Sequence, residues 1–187
     1  MTGTRKLAAI FVADAVGFSR HAGAASIALR FAGALGFALA LAGCAAAPPP
    51  RPAYSWSDAA LARVRLDPAA ATARLNAYRA DKGLRPVRLD PALTAMAARQ
   101  AQAMAASGTM SHDVAGSFST RLAAGGIRPP AAENLGEGYT SFDDALAGWR
   151  ASPAHAANLL MADASRFGVA LAKSADGPYW AMVMAAE

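Results

Sequence analysis

One cysteine in 187 residues, Cys44, excludes an intrachain disulfide, so the fold must be held by packing and hydrogen bonds alone. Imidazole is nearly as scarce: His21, His112 and His155 are the whole supply. Charged residues make up 17% and aromatics 7% of the chain. The formal charge of +5 does not form a basic stripe interleaved with stacking aromatics. Four basic residues and one acidic precede Cys44, and the other fourteen basic residues are scattered among twelve acidic ones. Nucleic acid is therefore excluded as a partner class. Neither Gly-x-Ser-x-Gly nor His-Glu-x-x-His occurs, so a nucleophile elbow and a compact zinc-ligand helix are both absent. No internal repeat is visible. The hydrophobic fraction of 55% is carried largely by alanine, which packs closely but buries little area per residue.

What is present begins with an export pattern. Arg30 precedes an apolar run at 31–41, which ends in Leu41-Ala42-Gly43-Cys44. A basic start, a short apolar stretch and small residues before a cut predict a secretory signal over 24–43. Its ending resembles a bacterial lipobox, which implies lipidation of Cys44, membrane attachment through that lipid and a periplasm-facing protein in the bacterial cell envelope. Ala45 follows the cysteine in place of aspartate, the pattern that in Gram-negative lipoproteins resembles release to the outer membrane. A single transmembrane helix over 22–47 is the competing reading, but an apolar run of 11 residues is short beside the roughly 20 that a span needs. Ahead of the signal, 5–20 resembles the opening strand of class III nucleotide cyclases, with Asp14 at a metal-binding position. A lone strand cannot assemble a two-metal site, so 1–23 is expected to be an extension arising from the assigned start site.

Pro48, Pro49, Pro50 and Pro52 favour extended polyproline geometry, and 44–66 is expected to be a tether. Beyond it the helix signals are regular. Asp67-Pro68 and Asp90-Pro91 each pair a capping residue with a proline suited to the first helical position, predicting helices over 68–80 and 91–107. Gly83 and Gly108 stop them. A short helix is expected over 118–124. Ser141 caps a further helix carrying Phe142, Ala145, Leu146 and Trp149 on one face. Ser152-Pro153 opens another, with His155, Asn158 and Leu159 along one side. The stretch 131–135 reads as a strand edge or an extended loop. After Asp163 the period becomes two: Phe167, Val169 and Leu171 share one face, the turn Asp176-Gly177-Pro178 follows, and Trp180, Met182 and Met184 share a face on the return. The tail is a hairpin.

Three signatures in order, Ser111-His112, Ala132-Glu133-Asn134-Leu135 and Ser152-Pro153-x-His155-x-x-Asn158-Leu159-Leu160, resemble the CAP superfamily of cysteine-rich secretory, antigen 5 and pathogenesis-related proteins. Leu75-Asn76-x-Tyr78-Arg79, Leu89-Asp90-x-x-Leu93, Trp149 and Gly168-Val169 followed by Tyr179-Trp180 extend the likeness over 67–187. The resemblance implies an α+β fold: an α-β-α sandwich with an antiparallel sheet between helical layers, here of the bacterial, disulfide-free branch. It implies a cleft lined by His112, His155 and Glu133; Asn134 and Asn158 are read as bonding backbone around that cleft. Many members carry a second cleft acid between the first histidine and the Glu-Asn motif. The only acid in that interval is Asp113, whose spacing does not match.

Two imidazoles and a carboxylate with an open position could hold a divalent metal such as zinc, with His112 and His155 as ligands, and activate a bound water. Without metal, the same groups could be a His-Glu proton-transfer pair or a buried polar network. Ser111 beside His112 is read as a turn residue. For much of the family the resemblance implies a non-enzymatic binding module whose cleft holds a small amphipathic, lipid-like or cell-wall ligand. The alternative is a metal-assisted, peptidase-like hydrolase using His112, Glu133 and His155.

Overall fold

The computed structural model describes residues 56–187. The extension, the signal, Cys44 and the proline-rich stretch lie outside the described residues. Among the described residues no helix is long and apolar enough to cross a membrane.

Among the described residues six helices and four strands follow one another as α1 (Asp58–Arg63), α2 (Pro68–Ala80), β1 (Arg88–Leu89), α3 (Pro91–Ser107), α4 (Phe118–Ala124), β2 (Ala131–Glu137), α5 (Phe142–Ala151), α6 (Pro153–Leu159), β3 (Arg166–Ser174) and β4 (Gly177–Ala185). The capping chemistry works as the residue types dictate. Asp67 Oδ1 accepts the N–H groups of Ala69 and Ala70, and Asp90 Oδ1 those of Ala92 and Leu93. Gly108 closes α3 in the left-handed region, at φ 61°, where a side chain would be strained. Ser152 departs from expectation. It ends α5 and starts α6, and its side chain makes no capping hydrogen bond, because the chain turns from one helix directly into the next.

The strands form one sheet in the order β1-β3-β4-β2. β3 and β4 are the expected hairpin, β2 pairs antiparallel with β4, and 131–137 is thus an edge strand rather than a loop. The two-residue β1 pairs parallel with β3, so the sheet is antiparallel except at that edge. Alternation along the hairpin divides the core in two. Phe167, Val169, Trp180, Met182 and Met184 pack with Leu75, Tyr78, Trp149 and Leu159 of α2, α5 and α6. Ala170, Tyr179, Ala181 and Val183 pack with Leu93, Met96, Met104 and Leu122 of α3 and α4. The result is the α-β-α sandwich, each sheet face covered by helices. Gly168 lets α3 lie directly on β3: a Cβ there would run into the backbone of Leu93 and Thr94.

The folded body starts earlier than Asp67. Trp56 packs on the first core and donates its N–H to Ala175 O at 3.0 Å, while Val64 is buried. Residues 56–66 therefore belong to the domain and not to the tether. Their anchor is the β3–β4 turn, far along the chain, which no pattern within 44–66 can display.

Arg79, fully buried on α2, donates to the carbonyls of Arg85, Leu159, Met161 and Ala164. Burial, and then the charge of Arg85, lower its pKa from the usual arginine value. It ties the C-terminal end of α6 and the loop after it to α2. Asn76 satisfies both backbone groups of Val87, at 2.8 and 2.9 Å, on the approach to β1.

Candidate functional site

β2 organises the site because its residues alternate between the two helical layers. Glu133 and Asn134 are successive, so their side chains leave the strand on opposite faces. Glu133 meets α4 and the loop before it; Asn134 meets α6. Trp149 Nε1 donates to Leu135 O at 2.7 Å and so ties α5 to the same strand.

On the α4 face the Glu133 side chain has no exposed surface, and its carboxylate accepts three hydrogen bonds. Arg121 forks onto it, Nη1 to Oε2 at 2.6 Å and Nη2 to Oε1 at 2.8 Å. His112 Nδ1 lies 2.7 Å from Oε1. Arg121 also donates from Nε to Gly116 O and from Nη2 to His112 O, both at 2.9 Å. One guanidinium thus holds the carboxylate and the loop that carries His112. Two observations extend this loop's support. Gln100, buried in α3, donates to Ser111 O at 2.6 Å, and Asp113 N–H donates to Ser111 Oγ at 3.2 Å. Ser111 is therefore a turn residue, as its type suggested. His112 Nε2 is buried and has no hydrogen-bond partner among the described residues.

On the α6 face two asparagine amides carry the network. Asn134 Nδ2 donates to His155 O at 3.1 Å. Asn158 Nδ2 donates to Asn134 Oδ1 at 2.9 Å and to Glu133 O at 3.3 Å. His155, Asn134 and Asn158 are all buried. The two asparagines bond backbone and each other, as expected of them.

The structure therefore joins His112 to Glu133 and, through backbone, His155 to Asn134. Among the described residues no group of three or more His, Cys, Asp and Glu side chains converges as a ligand set. The donor chemistry of Glu133 explains why: a carboxylate offers about four lone-pair sites, and here three are filled by cationic or imidazole N–H groups. A cation at Glu133 would also face the Arg121 guanidinium across it. As arranged, His112, Glu133 and His155 do not fit a three-ligand metal. Asp113, the one acid in the interval of the second cleft acid, is exposed and outside this network.

Arg121 is the residue that motif reading missed. Its signal was present: it stands three residues after Phe118 and next to Leu122, inside the buried stripe of α4. A cation on such a stripe needs buried acceptors, either carbonyls as at Arg79 or a carboxylate as here.

A family model described as the cysteine-rich secretory protein family, CAP, matches residues 72–185. No curated protein sequence matches the chain. Solved structures that share its fold include three bacterial proteins. A cysteine-rich secretory protein from Staphylococcus aureus is 18% identical, with a TM-score of 0.54 over 64% of this chain and 38% of that one. An outer surface protein from Borrelia burgdorferi is 17% identical, with a TM-score of 0.58 over 65% and 96%. An extracellular protein containing an SCP domain from Bacillus anthracis is 22% identical, with a TM-score of 0.55 over 66% and 45%. The chain thus spans less than half the length of the first and third.

Proposed function

The chain belongs to the cysteine-rich secretory protein family, and on that premise we propose that it is an envelope-anchored binding module. It holds a small amphipathic or cell-wall ligand between the layers that carry His112 and His155. The observation that carries this reading is the state of the α4 face. Glu133 is committed to Arg121 and His112, whereas His112 Nε2 is buried without a partner. A buried polar atom left unmet costs free energy that a ligand's hydrogen bond would recover. The face offers recognition but no nucleophile: Ser111 is turned into its own loop. The lipobox-like ending at Cys44 supports membrane attachment, and the outer surface protein of Borrelia and the extracellular protein of Bacillus lean the same way.

Binding is tested by titrating the isotope-labelled full chain with muropeptides from digested peptidoglycan and, separately, with phospholipid vesicles. Shifts of the His112 and His155 signals that saturate, and that His112→Ala or His155→Ala abolishes, are expected for one of the two. No saturable shift with either sinks the reading. A peptidase-like hydrolase is the second reading, favoured only by the 2.7 Å His112–Glu133 pair. Turnover of muropeptides that is lost in His112→Ala would replace binding by hydrolysis. Lipidation is checked by mass spectrometry of the N-terminal peptide at Cys44 from a native host, where an acylated cysteine is expected.

A further inference from the structure

Within the site of the binding-module reading, we propose that Arg121 is a positioning residue with two coupled effects. It withholds Glu133 from metal ions, and it holds His112 as the Nδ1–H tautomer. The site then meets its ligand with a bare Nε2, an acceptor for a hydroxyl or an amide N–H.

Both guanidinium bonds to Glu133 are short and buried, so the carboxylate is ionised, and an ionised carboxylate only accepts. The 2.7 Å contact with His112 must then have the imidazole donating from Nδ1. The charges of Arg121 and Glu133 cancel, and a neutral imidazole leaves the trio without net charge in a buried setting. In that imidazole the proton sits on Nδ1 and the lone pair on Nε2. This is the atom that is buried with no hydrogen-bond partner among the described residues. A carboxylate orienting an imidazole is a familiar support for metal sites, where the other ring nitrogen binds the ion. Here the support is itself pinned by a cation, so the carboxylate cannot swing out to join a ligand set. Two further Arg121 bonds, to His112 O and Gly116 O, fix the His112 backbone as well as its ring. The part concerning the ligand rests on the binding-module reading; the parts concerning tautomer and metal do not.

The test uses the full chain and zinc alone. In the wild type, the ring nitrogens of His112 are expected to show a protonated Nδ1 and a bare Nε2 by 15N NMR at neutral pH. A protonated Nε2 overturns the proposal. By calorimetry, Glu133→Gln is expected to leave zinc affinity unchanged, because Glu133 is not a ligand. Arg121→Gln should tighten zinc binding by about tenfold or more, and the double variant Arg121→Gln with Glu133→Gln should return it to the wild-type level. An Arg121→Gln protein that binds zinc no more tightly than the wild type, or a loss of about tenfold in Glu133→Gln alone, overturns it. Arg121→Lys keeps the charge but not the fork. Should the glutamine variant fail to fold, the lysine variant is expected to show mixed His112 tautomers, and a wild-type tautomer there counts against the proposal. Because no ligand enters these measurements, their failure leaves the binding-module reading standing, and a failed muropeptide or vesicle titration removes only the ligand part and leaves the tautomer and metal parts standing.

Discussion

The two faces of β2 solve the same problem with different chemistry. Each must bury polar groups beside a histidine. The α4 face does so with charge, Arg121 against Glu133 with His112 attached; the α6 face does so with amides, Asn134 and Asn158 against backbone carbonyls. A charged pair is rigid and directional, but it is hostage to both partners. Removing one leaves a bare buried charge, whereas removing an amide leaves only an unmet hydrogen bond. The difference predicts which face tolerates change.

The largest effect is expected from Arg121→Met, which strands Glu133 as an unpaired buried charge and should cost about 3–5 kcal/mol in urea unfolding. Adding Glu133→Gln should recover most of that loss. If the single variant unfolds like the wild type, the α4 face is not held by charge. On the amide face, Asn134→Ala or Asn158→Ala should cost about 1–3 kcal/mol by the same measurement. The two should be coupled in a double-mutant cycle, because each removes one hydrogen-bond partner of the other's amide. Equal costs on the two faces would erase the contrast.

Titration sharpens the comparison further. Tyr179 packs with the α3–α4 core, and burial, then the nearby charges of Glu137 and Asp176, push its pKa up to about 12. The unfolded tyrosine ionises near about 10, so the folded state holds more protons between the two values. Stability from this residue is full below about pH 10 and is lost as pH rises toward about 12; Tyr179→Phe should remove that loss in alkaline unfolding curves. Asp90 has the opposite sign. Desolvation pushes its pKa up, but the Leu93 N–H, Arg166 and the Ala92 N–H outweigh it and hold it below the usual carboxylate value. Its contribution is present above the unfolded value of about 3.9 and fades as pH falls through the lower folded one. Asp90→Asn should flatten the acid limb of the stability curve. The smallest effect is expected at the exposed Arg74–Asp143 pair, 3.3 Å apart with both side chains more than half exposed: Arg74→Ala should change stability by less than about 1 kcal/mol.

Local order was legible in the residues wherever the cause was local. Asp67-Pro68, Asp90-Pro91 and Ser141 mark helix starts because a side-chain oxygen meets N–H groups two or three residues on. Alternation in 167–184 marks a hairpin because successive side chains of a strand point to opposite faces. The polar residues within apolar stripes were present but mute. Arg79, Gln100 and Arg121 each sit on the buried face of a helix, and each is explained only by a carbonyl or carboxylate that another element brings to it. Trp56 and Val64 likewise join the domain through partners that lie across the fold.

The sequence alone determined the order of elements, their caps, the two-faced hairpin and the family signature, because these depend on neighbours within a few positions. Tertiary structure alone decided that Glu133 and Asn134 serve opposite layers and that Arg121, rather than a second acid, stands beside Glu133. A strand's alternation is written in its residues, but which charge waits on each side depends on how distant helices pack, and pairing in a buried site follows distance in space.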